Sequence, residues 1–459
     1  METPICDFVR EYNRREALRL HMPGHKGVPG LGMEPLDITE IDGADSLYEA
    51  EGIICRSEEN AGRLFGCDTF YSTEGSSQCI RAMLYLAMLY GKSRGKRPLI
   101  AAARNVHKTF LSAAALLDLD VLWLMPEKGE SYLSWNMTPG EVERVLYAAP
   151  ERPAAVYLTS PDYLGGMADI AGIARVCHDL GCLLIVDCAH GAYLRFLPQS
   201  LHPMDLGADL CCASAHKTLP VLTGGAYLHI AASLSEELSG SAKTALALFG
   251  STSPSYLILQ SLDRANQYLE TFPGTLAEFL SGVDALHRRL TERGYCLYGT
   301  EPLKLTISAK PLGYTGRELA GELEKRNIIP EFADPDYLVL MLTPEIGAAG
   351  LKRLGEALLE IPFQMPIPML PPRPGRGERV LSIREAMFSP ARTVSVSDAL
   401  GGVLAEASVG CPPAVPIVVC GERIDADAVN CFRYYGVERC RVVSGRYWYE
   451  SCCHRGYPW

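Results

Sequence analysis

Two residues that could do covalent chemistry stand just after two predicted strands. Asp187 follows the apolar run 182–186, and Lys217 lies a few residues beyond the apolar run 208–213. Short apolar runs of this kind are typical of buried parallel strands. Open α/β sheets bind their ligands at the carboxyl ends of such strands. We therefore expect an acid and an amine to meet at one edge of a sheet.

This pair of residues suits pyridoxal phosphate (PLP). The PLP aldehyde forms a Schiff base with a lysine amine, and a carboxylate facing the pyridine nitrogen keeps the ring protonated and able to accept electrons. The separation of thirty residues from Asp187 to Lys217 leaves room for a crossover and a second strand. An acid at a core edge and a lysine on the surface would give the same spacing, so the pair alone leaves both interpretations open.

The elements that must position this pair alternate between strand and helix, which predicts an α/β fold with a mostly parallel, doubly wound sheet. The polar ends of its strands would bring His107, Ser160, Asp187 and Lys217 around one crevice. The predicted strands are 98–103, 121–125, 154–159, 182–186, 208–213 and 226–230, and the predicted helices are 57–65, 79–90, 109–117, 139–148 and 170–180.

A glycine-serine turn precedes the second of these helices. Gly75, Ser76 and Ser77 open the apolar run 79–90. The free backbone N–H groups and the dipole at a helix start attract an anion, which suits a cofactor phosphate. Ordinary helix capping uses the same residue types.

The sequence predicts several domains along its 459 residues. These are an N-terminal segment (1–20), a large domain (21–295), a small α+β domain (296–361), a proline-rich linker (362–377) and a C-terminal α+β domain (378–459). In the C-terminal domain we predict a helix at 396–407 and a strand at 416–420.

Composition excludes some classes of protein. With a net charge of −11, a nucleic-acid or anionic-membrane surface is not expected. No apolar run reaches membrane-spanning length, and the charged N-terminus lacks the apolar core of a signal peptide, so we predict a cytoplasmic protein. The 16 cysteines are scattered and show no zinc-type spacing. We therefore predict no metal site, although Cys452, Cys453 and His454 could hold an ion adventitiously.

A series of motifs resembles the bacterial ornithine/lysine/arginine decarboxylases, which are PLP enzymes of fold type I, the aspartate-aminotransferase fold. The resemblance covers nearly the whole chain and looks like the short form, without an N-terminal response-regulator-like wing. The motifs, in chain order, are LHMPGHKG, TEIDGADSL, EGSSQ, RNVHKTF, TSPDYLGGMADI, DCAHGAYLRF, SAHKTLP, STSPSYL, REAMFSP and PPAVPIVVCGERI.

The resemblance implies a role for individual residues. Lys217 would form the Schiff base, Asp187 would pair with the pyridinium, and His107 would stack on the cofactor. Glu422 would lie near the far end of the substrate. Further cofactor contacts would come from Gly75, Ser76, Ser77, Ala189, His190, Ser214 and His216, with His216 also at the catalytic centre, and Ser251, Thr252 and Ser253 would reach a phosphate in the neighbouring subunit of a homodimer.

The implied activity is decarboxylation of arginine, lysine or ornithine to an amine that feeds polyamine synthesis. The chain departs from the family pattern at Cys188, where an acid is usual, at Tyr193, where a histidine is usual, and at Glu74, where an asparagine is usual. These departures leave the substrate open. Other fold type I chemistry (transamination, aldol cleavage or elimination) and a non-catalytic regulatory role are the alternatives, and Glu422 could instead form a surface pair with Arg423.

Overall fold

The structure is a computed structural model that describes residues 1–126, 131–135, 137–375, 377–407, 409–410 and 413–445. It divides into two compact units. The first comprises Met1–Arg97, Pro150–Ser160 and Asp169–Glu278, and the second comprises the described residues of Pro98–Ala149, Pro161–Ala168 and Phe279–Trp459.

Helices and strands alternate through much of the chain. The helices are α1 (Pro4–Arg14), α2 (Ile53–Phe65), α3 (Ser76–Ser93), α4 (Lys108–Leu117), α5 (Pro139–Ala148), α6 (Ile170–Asp179), α7 (Ala215–Thr218), α8 (Gly240–Ala247), α9 (Tyr256–Leu269), α10 (Phe272–Arg293), α11 (Gly316–Glu324), α12 (Gly347–Glu360), α13 (Ile383–Phe388) and α14 (Ala426–Tyr435). The strands are β1 (Asp68–Ser72), β2 (Leu99–Ala103), β3 (Asp120–Leu124), β4 (Ala155–Thr159), β5 (Leu183–Asp187), β6 (Leu210–Ala213), β7 (Ala226–Ile230), β8 (Cys296–Tyr298), β9 (Lys304–Ser308), β10 (Phe332–Ala333), β11 (Tyr337–Met341), β12 (Ala391–Ser395) and β13 (Arg439–Val443).

Five strands of the first unit lie side by side in the order β1-β7-β6-β5-β4. The pairs β4–β5 and β5–β6 are parallel, and β7 runs antiparallel to both β6 and β1. All five residues of β5 are buried, as expected for a central parallel strand that is covered on both faces. This strand ends at Asp187, so the core of the unit fixes the position of that carboxylate.

The second unit contains three sets of paired strands. β2 and β3 are parallel, and β10-β11-β9-β8 form an antiparallel four-stranded sheet. β12 and β13 form an antiparallel pair. The observed architecture confirms the predicted α/β fold class. None of the described helices combines the length and the apolar character that crossing a membrane requires.

Two predictions of local structure in the C-terminal domain were wrong. The predicted helix 396–407 is only a short 3₁₀ turn at Val396–Asp398, because Gly401 adopts a positive φ of 83° that an α-helix cannot accommodate. Residues 416–420 form no strand and lead into a turn at Gly421, whose φ is +93°.

Candidate active site

Asp187 occupies the end of β5 and is 2% exposed. The Tyr157 hydroxyl donates to its Oδ2 at 3.1 Å, and the Cys212 thiol and the Ala189 N–H donate to its Oδ1 at 3.5 and 3.2 Å. Burial and the neighbouring charge of Asp187 raise the pKa of Tyr157 well above its usual value, so this phenol keeps its proton and acts as a donor. Three donors on two neighbouring strands and the following loop thus fix the position of this carboxylate.

Lys217 lies in α7, the single helical turn that follows β6. Its Nζ is 3.0 Å from Nε2 of His190, a side chain that is 7% exposed and follows β5. An amine and an imidazole at this distance can share a proton, with either nitrogen as the donor. The side chains of His190 after β5 and Lys217 after β6 thus meet in the first unit.

Gly75 caps α3 at its N-terminus with φ +73° and ψ 179°, a conformation that favours glycine. Its N–H donates to the Gly224 carbonyl at 2.7 Å, and a Cβ built on it would lie 3.9 Å from Cε1 of His216. The His216 Nδ1–H donates to the Gly225 carbonyl at 2.9 Å. Burial lowers the pKa of His216, which favours the neutral ring.

The hydroxyl-rich residues Ser251, Thr252 and Ser253 are exposed. The Ser251 N–H donates to the Glu74 carboxylate, and the Ser253 N–H donates to Ser251 Oγ at 3.1 Å. Glu74 is exposed, and its carboxylate accepts this hydrogen bond from the loop of its own chain. A Cβ on Gly250 would lie 2.0 Å from the Tyr48 hydroxyl. Position 250, just before the loop, therefore requires glycine.

His107 lies in the second unit, as the N-cap of α4. Its Nδ1 accepts the N–H of Thr109 at 3.2 Å and is 2.9 Å from the Thr109 hydroxyl. Because Nδ1 accepts a backbone proton, the neutral ring carries its own proton on Nε2. The local sequence thereby sets the orientation and the tautomer of this ring.

Glu422 is also in the second unit and is 6% exposed. Both of its carboxylate oxygens are bound by the Arg104 guanidinium, at 2.9 and 2.5 Å. The Val419 N–H donates to Oε2 at 2.8 Å, and the Arg104 Cζ lies 5.1 Å from the centre of the Trp123 ring. The pairing with Arg423 weighed from the sequence is not what the structure shows, since Arg423 binds Glu378 at 2.8 Å.

Sequence reasoning missed Tyr157 and Cys212 as partners of Asp187. A usable signal was the tyrosine inside the otherwise aliphatic strand β4, because a buried phenol needs a hydrogen-bond partner. The cluster Cys452, Cys453 and His454 lies outside the described residues.

The residues of the first unit fit PLP. The Ser214 hydroxyl is buried and has no hydrogen-bond partner within the described residues, so it can bind a phosphate oxygen. The N-terminal end of α3 at Gly75 favours the same anion through the helix dipole. Asp187 offers a carboxylate for a pyridinium, and Lys217 offers an amine for an aldehyde.

Comparison with known proteins agrees with this chemistry. Residues 3–283 match the model of the family described as Orn/Lys/Arg decarboxylase, major domain. An arginine decarboxylase of Bacillus subtilis is 29% identical over 94% of this chain and 92% of its own length. An arginine decarboxylase of Halalkalibacterium halodurans is 28% identical over 92% of this chain and 91% of its own length.

Among solved structures, lysine decarboxylase A of Pseudomonas aeruginosa has a TM-score of 0.76 and 17% identity, and the match covers 96% of this chain and 80% of that one. At this level of identity the similarity concerns the fold.

Proposed function

This chain belongs to the Orn/Lys/Arg decarboxylase family and is a PLP-dependent decarboxylase of a basic amino acid, and we propose that its substrate is arginine. Arginine is supported by relatives that match this chain along nearly their whole length. Four of them, 27–29% identical over at least 92% of this chain, are arginine decarboxylases.

We assign the covalent role to Lys217 and the pyridinium partner to Asp187. When bound, PLP supplies an electron sink for the pair of electrons left by the departing carboxylate. Asp187 holds a proton at the ring nitrogen, and the donors Tyr157 and Cys212 hold Asp187 in place. Lys217 and His190 pass a proton between Nζ and Nε2.

In our assignment the phosphate would be held by the start of α3 at Gly75, Ser76 and Ser77, with Ser214 and His216 as further contacts. Fixing this end of the cofactor orients its reactive end. The stacking role of His107 is carried over from the family resemblance and stays a prediction.

The proposal extends to a homodimer in which Ser251, Thr252 and Ser253 reach the neighbouring subunit's phosphate. Exposure of three hydroxyl groups in one loop supports it, and twofold symmetry would create two equal sites. We further propose that the protein is cytoplasmic and makes an amine for polyamine synthesis.

Glu422 is the carboxylate proposed for the cationic end of the substrate. Arg104 binds both of its oxygens in the structure. A substrate cation would therefore have to displace the Arg104 guanidinium or share the Glu422 carboxylate with it. This competition makes the assignment testable.

The experiment is to incubate the purified protein with PLP and a panel of amino acids and to identify products by mass. We expect CO₂ and the amine of arginine, and no product from the Lys217→Ala variant. A dominant amine from lysine or ornithine would reject arginine as the substrate. Formation of a keto acid without CO₂ would instead indicate transamination.

A further inference from the structure

A buried cluster of three metal-ligand side chains lies in the first unit. Cys188 follows β5, Cys211 is in β6, and His202 lies in the connection between these strands. One ligand atom from each residue comes within 4.8 Å of the other two, and all three side chains are buried. We propose that these residues bind a thiophilic divalent cation, with Zn²⁺ as the natural ion.

His202 provides an observation that is independent of the cysteines. It is 0% exposed, and neither of its ring nitrogens has a hydrogen-bond partner among the residues that the structure describes. An unpaired buried polar group costs free energy. An ion held between this ring and the two thiols would satisfy one of these nitrogens.

The distances suit tetrahedral zinc after a small adjustment. With Zn–S near 2.3 Å and Zn–N near 2.0 Å, tetrahedral angles place neighbouring ligand atoms about 3.5–3.8 Å apart. The ligand atoms here lie within 4.8 Å of one another. Side-chain rotations that move each ligand atom by less than about 1 Å would bring the three atoms to the distances of a zinc site.

The charge also suits a fully buried position. Binding converts two thiols to thiolates and releases two protons, so Zn²⁺, two thiolates and a neutral imidazole together carry no net charge. A neutral complex needs no counter-ion, which matters because isolated buried charge is costly. The Phe65 ring, 5.6 Å from that of His202 by centroids, adds to the apolar surroundings.

His229 is the candidate for a fourth ligand. It pairs with Cys211 in the register of β6 and β7, and its ring lies 5.3 Å from that of His202. Its Nδ1 is 3.0 Å from the Thr69 hydroxyl, whereas its Nε2 has no partner in the described part of the chain.

The linear spacing conceals this site. The residues stand at 188, 202 and 211, far from the short paired spacing of zinc motifs, and only the parallel pairing of β5 with β6 brings them together. An ion here would join the two strands that carry Asp187 and its donor Cys212. It would thus support the catalytic carboxylate without touching the cofactor.

The test uses the untagged, PLP-loaded protein produced with added zinc and then desalted. Elemental analysis should find about one zinc per chain, and Cys188→Ser, Cys211→Ser and His202→Ala should each reduce it to about a tenth or less. The control Cys177→Ser, which changes a buried cysteine outside the cluster, should keep the zinc. The double variant Cys452→Ser/Cys453→Ser should also keep it.

Refolding the wild-type protein with Co²⁺ keeps the proposal falsifiable if the variants fail to fold. We expect the visible and near-ultraviolet bands of tetrahedral cobalt bound to thiolate. Substoichiometric zinc with no cobalt–thiolate band would overturn the proposal. So would a disulfide between Cys188 and Cys211 in the purified protein, or loss of the metal in the Cys452→Ser/Cys453→Ser control.

Discussion

The Glu422→Gln substitution separates a structural role of this carboxylate from a role in substrate binding. In the structure Glu422 and Arg104 form a bidentate ion pair, and their side chains are 8% and 14% exposed. Removing one partner of a buried pair leaves the other charge uncompensated, which costs about 3–5 kcal/mol. The Arg104 head is slightly exposed and stacks near Trp123, so we expect a loss of about 3 kcal/mol in the free energy of unfolding.

The assay compares urea unfolding with steady-state kinetics on the same preparations. Glu422→Gln should shift the unfolding midpoint to lower urea, and the double variant Arg104→Met/Glu422→Gln should recover much of the loss because no buried charge remains. The matched control is Glu378→Gln, which breaks the neighbouring pair with Arg423. The side chains of Glu378 and Arg423 are 68% and 32% exposed. Exposed ion pairs of this kind contribute about 0–1 kcal/mol to the free energy of unfolding.

One result would refute this reasoning. If Glu422→Gln is as stable as the wild-type protein but has a strongly raised KM, the carboxylate serves the substrate cation and the pair with Arg104 contributes little. A fall in stability with an unchanged KM would remove Glu422 from the substrate pocket. A fall in stability together with a raised KM would show that the carboxylate has both roles.

Three further predictions follow from the same contacts. Asp187→Asn should still bind PLP but lose at least about a hundredfold in kcat, since an amide cannot hold the ring nitrogen protonated; near-normal turnover would contradict this. Light scattering at assay concentration should give a dimer, and a fully active monomer would disprove a site shared through Ser251 and Ser253. Burial, and to a lesser extent the charge of Asp336, raise the pKa of Asp334 to about 6. The folded state therefore binds more protons than the unfolded state between about pH 4 and 6, and unfolding free energy should fall by about 2–3 kcal/mol as pH rises through that window. Asp334→Asn should abolish this fall. The measurement is the urea midpoint of the wild-type and variant proteins at pH 4.5 and 7, and an equal change in the two proteins would refute the prediction.

The sequence was sufficient to place Asp187 and Lys217 relative to their strands because strong local signals agree there. The apolar run that ends at Asp187 becomes a fully buried strand, and Lys217 follows β6 in a single turn of helix. Hydrophobic runs bounded by polar residues leave little choice of register, so the two positions follow from local pattern alone.

The remaining features depend on contacts between distant segments. The partners of Asp187 lie on β4 and β6, and no spacing rule connects Tyr157 with Cys212. The pair of Arg104 and Glu422 spans 318 residues. In the C-terminal segment, Gly401 and Gly421 adopt positive φ angles that override the apolar pattern from which a helix and a strand were predicted.

The most direct test of the central claim is to find where PLP is attached. The protein is loaded with PLP, reduced with borohydride, digested and mapped by mass spectrometry, and an unreduced sample is assayed for release of CO₂ from arginine, lysine and ornithine. We predict a stable pyridoxyl adduct on Lys217 and CO₂ release from a basic amino acid. An adduct on another lysine, or an adduct on Lys217 without CO₂ release from any of the three, would contradict the account.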